Sequence, residues 1–150
     1  MAGFMMCLAL TLAATPDQPV SYQDAYEEAN KSKRPMLVLV GADWCPACRV
    51  MKYTTLPGLL KDGKLKQVSY SIVDVDEAPQ LSSQLMRSSS IPQLVLLVPL
   101  TDGWQRYYLN GSHHPDSVVE MIRGGIADQK QDLADNKKEM PTMPVASANE

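Results

Sequence analysis

Residues 36–48 read MLVLVGADWCPAC, an uninterrupted apolar run followed by two cysteines that are two residues apart. The run Met36–Val40 is typical of a strand that is buried on both faces of a sheet. Pro46 favours the first turn of a helix, where its missing N–H costs nothing and its fixed φ is already helical. The stretch therefore predicts a buried strand, a short loop and a helix that begins at Cys45.

Helical and strand patterns alternate on both sides of this stretch. Upstream, Ser21 with Asp24 fits a helix start, and the amphipathic helix runs to about Ser32. Downstream, the helix from Cys45 should reach about Thr54 and break at Leu56-Pro57-Gly58, with a short helical piece through Leu60. We predict further strands at 67–74, 93–98 and 104–109, a short helix at 79–87, and a terminal helix from Pro115 to Gly124-Gly125.

This order of elements, α-β-α-β-α-β-β-α, predicts an α/β fold in one domain. The 150 residues are enough to bury a core. A net charge of −3 without a Lys/Arg cluster in the sequence argues against nucleic acid as a partner. Three cysteines are too few for a disulfide scaffold.

The N-terminus begins with an uncharged apolar run, Phe4–Ala14, which contains the third cysteine, Cys7. The run is too short to span a bilayer but resembles the core of a secretory signal, although no basic residue precedes Lys31. The alternatives are an apolar segment that packs on the domain and a misassigned start. We expect a signal or hydrophobic segment at 1–15, a folded domain at 16–127 and a flexible polar tail at 128–150. The expected location is periplasmic or secreted, and otherwise cytoplasmic.

The cysteine pair has the arrangement that thiol exchange requires. At the N-cap of a helix, the Cys45 sulfur can accept hydrogen bonds from the free N–H groups of Ala47 and Cys48. The helix dipole favours the thiolate there, and such positions lower the pKa of a cysteine thiol. Cys45 is therefore the candidate nucleophile. Cys48 lies one turn further on, faces the core and can attack a mixed disulfide.

Two other interpretations of the pair are weaker. A structural disulfide across two residues closes a very short loop and should stabilise the fold little. A metal site usually needs four ligands, whereas the only histidines, His113 and His114, are adjacent in a loop and would have to approach from another element.

Three segments resemble the thioredoxin superfamily over about residues 18–127: the Trp-Cys-x-x-Cys motif at 44–48, the segment Ser90–Leu94, which resembles the family's cis-proline segment, and Gly111. The longer motif is most similar to the C-terminal domain of the bacterial transmembrane disulfide reductant-transfer proteins and to related exported proteins. The resemblance implies a thioredoxin-like α/β fold with a central mixed sheet of about four strands flanked by helices.

The resemblance also implies roles for individual residues. Cys45 would attack, Cys48 would resolve, and Trp44 would flank the exposed sulfur. Pro92 would be cis, and the backbone of Ile91 would bind an extended partner chain. The residues implied to support partner binding are Trp44, Pro46, Ile91 and Pro92. No metal or dissociable cofactor would be needed, and the partners of a monomeric protein would be protein thiols and disulfides or a membrane-bound thiol reductant.

The sequence departs from thioredoxin at two places. The buried carboxylate before the motif and the lysine of the next strand, which help to move protons at the resolving cysteine, are replaced by Leu39 and Ile72. Asp43 is the candidate for proton handling through water, ahead of Asp74 or Asp76. Pro46 replaces a glycine, which leaves the direction of electron flow open. The alternative functions are a redox-inert peptide-binding module near Pro92 and a metal-binding or delivery protein.

Overall fold

The computed structural model describes residues 18–139, which form one mixed sheet with helices on both faces. A π-helical turn, Met51–Thr55, joins two of the helices. The elements in chain order are α1 (Tyr22–Ser32), β1 (Met36–Gly41), α2 (Pro46–Val50), α3 (Leu56–Lys61), β2 (Ser69–Asp74), α4 (Pro79–Leu85), β3 (Gln93–Leu100), β4 (Gly103–Asn110) and α5 (Pro115–Glu139).

The four strands lie in the order β2-β1-β3-β4. β1 pairs with β2 in parallel and with β3 antiparallel, and β4 forms an antiparallel hairpin with β3. The predicted fold class is therefore confirmed. The carboxyl ends of β1 and β2 meet at one edge of the sheet, where Val75 N–H donates a 2.9 Å hydrogen bond to the Gly41 carbonyl. This edge carries the cysteine motif.

β1 is buried along its whole length, as its continuous apolar run predicts. Its side chains alternate between two apolar clusters, one on each face of the sheet. Leu37 and Leu39 pack on the side that α5 covers, together with Ile122 of that helix. Val38 and Val40 pack on the other side, which α1 and α4 cover. The central strand therefore fixes the position of the cysteine loop that follows it.

The predicted start of α1 is confirmed in atomic detail. Ser21 is the N-cap, and its Oγ accepts a 3.1 Å hydrogen bond from the backbone N–H of Asp24. The helix ends at Ser32, followed by Lys33 in the left-handed conformation. Local signals alone determine this element.

The predicted break at Leu56-Pro57-Gly58 is wrong, because the helix that starts after Cys45 continues to Lys61. A π-helical turn precedes the proline, and Leu56 N–H donates to the Met51 carbonyl, five residues back. Pro57 then lies in the first turn of α3, where its missing N–H costs little. The wider turn accommodates the proline that would have interrupted a regular α-helix.

The predicted end of the last helix at Gly124-Gly125 is also wrong, since α5 continues to Glu139 and includes the first twelve residues of the predicted tail. Gly125 allows the helix to approach the sheet, because a Cβ there would lie 2.7 Å from Leu96. Further along, Asp132 accepts a 2.8 Å hydrogen bond from Thr101 N–H. Contacts with the sheet at Gly125 and with Thr101 at Asp132 thus keep the chain helical beyond the end that the glycine pair and the polar composition predict.

Other predictions lie beyond the described part of the chain. The signal or hydrophobic segment at 1–15, with Cys7, and residues 140–150 of the predicted tail fall outside residues 18–139. Among the described helices, none combines the length and apolar character needed to cross a bilayer.

Candidate active site

The two cysteines lie where the loop after β1 turns into α2. Cys45 is the N-cap of the helix in an extended conformation, and Pro46 occupies the first turn, as predicted. Cys48 N–H donates a 3.2 Å hydrogen bond to Cys45 Sγ, whereas no such bond from the predicted second donor, Ala47, occurs among the described residues. The cysteines are joined as a disulfide with their Cα atoms 5.2 Å apart.

Cys45 is less exposed to solvent than the sequence predicts. Cys48 is 3% exposed, in agreement with a core-facing residue, but Cys45 is also only 6% exposed in the disulfide form. Ala42 packs with both cysteines in a small apolar cluster. A partner disulfide therefore has to come into close contact with the loop to reach Cys45.

Gly41 is a residue of the site that sequence analysis missed. It is the last residue of β1, and a Cβ placed on it would lie 3.0 Å from both Cβ and Sγ of Cys48. Real Cβ atoms rarely come so close to another side chain. The signal was present, because a glycine in a buried strand often marks a close approach of another part of the chain.

Trp44 is exposed, at 68%, and is held by a hydrogen bond rather than by packing in the core. Its Nε1 donates a 2.7 Å hydrogen bond to Asp76 Oδ2. Asp76 is itself oriented by its backbone N–H, which donates a 2.8 Å bond to Asp74 Oδ1. Asp74 is the last residue of β2, and Asp76 lies in the exposed loop that follows it. Both are connected by hydrogen bonds to Trp44 of the cysteine motif, Asp76 directly and Asp74 through Asp76.

The segment before β3 lies beside the pair. The Ile91–Pro92 peptide bond is cis, the geometry that the resemblance implies for this position. Ile91 is partly buried and packs against the cluster that contains Cys45 and Cys48. The Pro92 carbonyl accepts a 2.7 Å hydrogen bond from the N–H of Gly111, which adopts a positive φ of 89°. All three segments that carry the resemblance thus meet at one edge of the sheet.

A buried glutamine, Gln93, organises this segment and was also missed. Its side chain is fully buried, and its Nε2 donates to the carbonyls of Ser88 and Ser90 at 2.7 and 2.8 Å. Its Oε1 accepts a 3.0 Å bond from Arg87 N–H. Buried amides are normally satisfied in this way. One side chain therefore fixes the loop that leads into Pro92.

The strand positions beside Cys48 are aliphatic. Leu39 is 1% exposed and pairs with Ile72 across β1 and β2. Both line a small cavity that reaches Cys48 and is also lined by the polar side chains Asp43, Lys52 and Asp74. Polar groups thus lie around this cavity although its strand positions are aliphatic.

Asp43 and Lys52 form an ion pair at this cavity. Lys52 Nζ lies 2.8 Å from Asp43 Oδ1, with the carboxylate 70% and the lysine side chain 30% exposed. The hydrogen bond to Asp43 is the main cause that raises the pKa of Lys52 above its usual value of 10.5. Lys52 is therefore a cation held close to Cys48, and sequence analysis did not identify it.

The histidines do not join the cysteines. His113 Nε2 lies 2.9 Å from the Asn110 carbonyl, and His114 Nδ1 lies 3.2 Å from the Asp116 carboxylate. Within residues 18–139, no group of three or more His, Cys, Asp or Glu side chains could hold a metal ion. The described residues therefore offer no support for the metal-site interpretation.

Comparisons with known proteins agree with this geometry. The family model for thioredoxin-like proteins matches residues 17–99. A thioredoxin of Rickettsia bellii is 32% identical over 100 residues, which are 67% of this chain and 90% of that protein.

Solved thioredoxin structures share the fold. A thioredoxin from Thermus thermophilus is 23% identical with a TM-score of 0.62, over 84% of this chain and 98% of that one. The thioredoxin of Fasciola hepatica is 20% identical with a TM-score of 0.56, over 70% and 94% of the two chains. Together with the Cys45–Cys48 pair, the family match supports thiol–disulfide oxidoreductase activity. The chain belongs to the thioredoxin-like family.

Proposed function

We propose that this protein passes two electrons between its Cys45–Cys48 pair and the disulfides or thiols of other proteins outside the cytoplasm. The observation that carries the proposal is the position of Cys45 at the N-cap of α2, where Cys48 N–H donates to its sulfur. The same donor and the helix dipole favour a thiolate on Cys45 after reduction. Cys45 is therefore the attacking cysteine.

In the reducing direction the chemistry takes two steps. The Cys45 thiolate attacks one sulfur of a partner disulfide, forming a mixed disulfide while the partner's other sulfur leaves as a thiolate and takes up a proton. Cys48 then loses its proton and attacks Cys45 Sγ, which releases the partner as a dithiol and leaves the Cys45–Cys48 disulfide. A thiol reductant, soluble or bound to a membrane, returns the pair to the dithiol form.

The residues around the pair form the proposed partner-binding surface. Trp44 and Pro46 are exposed on one side of Cys45, while Ile91 packs on the cysteine cluster from the other side. An extended partner chain that lies between them could form backbone hydrogen bonds with Ile91. The cis bond before Pro92 and the hydrogen bonds of the buried Gln93 side chain hold the backbone of this surface in place.

We further propose that Asp43 and Lys52 handle the proton of Cys48 in place of the buried acid. Both line the cavity that reaches Cys48, and they are joined by an ion pair. Asp43→Asn should slow the release of the mixed disulfide and change its dependence on pH, while attack by Cys45 is little affected. Glu77→Gln, an exposed acid on the neighbouring loop, is the matched control. An unchanged pH profile for Asp43→Asn would disprove this role.

Export of the protein is part of the proposal. The apolar run Phe4–Ala14 and the small residues after it support a signal that is processed near Ala13–Thr15. Expression of the full chain in a bacterium, followed by cell fractionation and N-terminal sequencing, tests it. A mature N-terminus near residue 15 in the periplasmic fraction is expected, and an intact chain confined to the cytoplasm would rule it out.

Trapping of mixed disulfides tests the assigned roles. Cys48→Ser should accumulate covalent adducts with protein disulfides, since Cys45 can attack but the adduct cannot be resolved. Cys45→Ser should form few adducts, because Cys48 is buried. Electrophoresis without reductant measures both. Full disulfide-reductase activity in both variants would overturn the proposal and favour a redox-inert binding module.

A further inference from the structure

The two ends of the sheet carry opposite charge. At the cysteine end, two basic residues, Arg49 and Lys52, are outnumbered by four acidic ones: Asp43, Asp74, Asp76 and Glu77. Seven of the chain's 14 lysines and arginines line three clefts at the opposite end, near the amino ends of β1 and β2. The net charge of −3 is thus distributed unevenly, with negative charge in excess at the cysteine end and positive charge at the opposite end.

Five lysines form what we call the basic face: Lys33, Lys61, Lys64, Lys66 and Lys130. They come from the ends of α1 and α3, from the segment before β2 and from the middle of α5. Lys66 lines all three clefts and so joins them into one surface. Three of the five lie within residues 61–66, and the fold brings Lys33 and Lys130 beside them.

The charge of the basic face is not neutralised by neighbouring acids. Two arginines also line the clefts, but Arg34 pairs with Glu28 at 3.0 Å and Arg123 with Glu120 at 2.8 Å. Within residues 18–137, the five lysines have no carboxylate within 4.0 Å, and no Asp or Glu is among the residues that line the three clefts. The lysines are therefore available to an anionic partner.

Apolar side chains lie between these lysines. Val119 and Ile126 of α5, which are partly exposed, line one cleft, and Pro57 and Leu60 of α3 line another. Long lysine side chains around apolar surface suit a partner that offers negative charge above an apolar layer. A phospholipid headgroup region is such a partner, whereas a polyanion without apolar parts would leave this surface unused.

We propose that the basic face docks on an anionic phospholipid membrane and turns the cysteine pair away from it. β1 separates the two ends, and its six residues span roughly 20 Å at about 3.3 Å per residue. The acidic cysteine end is repelled by the same surface that attracts the lysines. Both effects favour one orientation, in which Cys45 faces a partner held at or above the membrane.

The described part of the chain begins at the basic face. Gln18 and Pro19, the first described residues, line the basic face beside Lys61. Only three residues separate Gln18 from the apolar run Phe4–Ala14 in the sequence. The lysines of the basic face belong to the described domain and are kept when this run is removed. The inference rests on the lysines and does not depend on the chemistry of the cysteine pair.

Vesicle sedimentation with the exported, processed chain tests the proposal. Wild type should bind vesicles of phosphatidylcholine with 30% phosphatidylglycerol more tightly than vesicles of phosphatidylcholine alone, and less tightly as salt increases. Lys64→Gln with Lys130→Gln should weaken binding to the anionic vesicles about 25-fold, at about 5-fold per lysine. Binding to the neutral vesicles should be the same for wild type and variant, since the two differ only in lysine charge.

A matched control removes two charges elsewhere. Arg87→Gln with Arg106→Gln has the same net charge as the lysine variant but changes the side of the sheet that carries Tyr108 and α4. It should bind the anionic vesicles as wild type does. Reduction of glutathione disulfide by the lysine variant should also equal that of wild type, because the basic face is far from Cys45. Thermal unfolding verifies that both variants are folded.

Three results would overturn the proposal. The first is equal binding of wild type and the lysine variant to anionic vesicles. The second is an equal loss of binding in the arginine control, which would indicate net charge rather than the basic face. The third is binding to duplex DNA or inorganic phosphate, lost in the lysine variant, without binding to vesicles. That last result would assign the face to a different anion.

Discussion

The indole Nε1 of Trp44 donates a 2.7 Å hydrogen bond to Asp76 Oδ2. The two residues are 32 positions apart and meet because β1 and β2 are parallel neighbours whose carboxyl ends share one edge of the sheet. The bond holds an exposed aromatic ring beside Cys45. Trp44 is thereby available for contact with a partner without losing its orientation.

Removal of the Asp76 carboxylate should therefore affect partner proteins more than small thiols. Asp76→Ala leaves the ring mobile, and we expect the rate of exchange with a protein disulfide to fall several-fold while exchange with glutathione disulfide changes little. The loss of one hydrogen bond should lower the free energy of unfolding by about 1 kcal/mol. Stopped-flow fluorescence of Trp44 measures the rates. Asp76→Asn retains an acceptor and is the control; equal rates for Asp76→Ala and wild type would contradict the role of the bond.

Gly41 should be the least replaceable glycine of the site. In Gly41→Ala the new methyl group would lie 3.0 Å from Cys48 Sγ, so the cysteine or the strand has to move. We expect a loss of about 1–3 kcal/mol in the free energy of unfolding, as for other overpacked cores, and a changed equilibrium constant with glutathione. Gly58→Ala is the control, because nothing lies within 4 Å of its position in α3. Similar stability for the two variants would disprove the close approach.

The glycine pair within α5 offers a similar test of the fold. Gly125→Ala would place a methyl group 2.7 Å from Leu96 and 2.8 Å from Val98, and should destabilise the protein by about 1–3 kcal/mol. At Gly124 nothing lies within 4 Å, so Gly124→Ala should gain up to about 1 kcal/mol from helix propensity. Chemical denaturation measures both. If both variants were stabilised, the helix would not pack on the sheet at this point.

Tyr107 should make the anchoring of α5 dependent on pH. The pKa of Tyr107 is raised from 10.0 to about 12. Burial is the largest cause, and the hydrogen bond to Asp128 is the next. The folded protein therefore keeps a proton that the unfolded chain loses above pH 10. The stabilisation is complete below pH 10 and is lost as the pH rises towards 12.

The variant Tyr107→Phe lacks the hydrogen bond to Asp128 and has no phenol proton to lose. At pH 7 we expect it to be less stable than wild type by about 1 kcal/mol. The difference should shrink between pH 10 and pH 12, because only wild type loses the contribution of this group. Urea denaturation across this range provides the measurement, and a difference that stays constant with pH would be evidence against the assignment.

Local signals predicted the elements that local contacts determine. The N-cap Ser21 and the buried run of β1 agree with the structure because each depends on a few neighbouring residues. The same holds for Cys45, whose place at the start of α2 follows from Pro46 and the strand before it. These are the features on which the fold and the cysteine chemistry depend.

Predictions failed where distant contacts override local preference. The π-helical turn before Pro57 and the continuation of α5 past Gly125 depend on how the helices fit the sheet. The bond between Trp44 and Asp76 requires knowledge of which strands are neighbours. The basic face joins the three lysines of residues 61–66 to Lys33 and Lys130, and only the fold shows that these two lie beside the others.

Titration of the Cys45–Cys48 pair against mixtures of reduced and oxidised glutathione tests the central claim most directly. The state of the pair is measured by trapping free thiols in wild type, with Cys45→Ser as the control. We predict that the pair reaches equilibrium with glutathione from both the oxidised and the reduced side within the experiment, and that the same constant is obtained from each. A disulfide that glutathione neither reduces nor re-forms would contradict the account and leave a redox-inert member of the family.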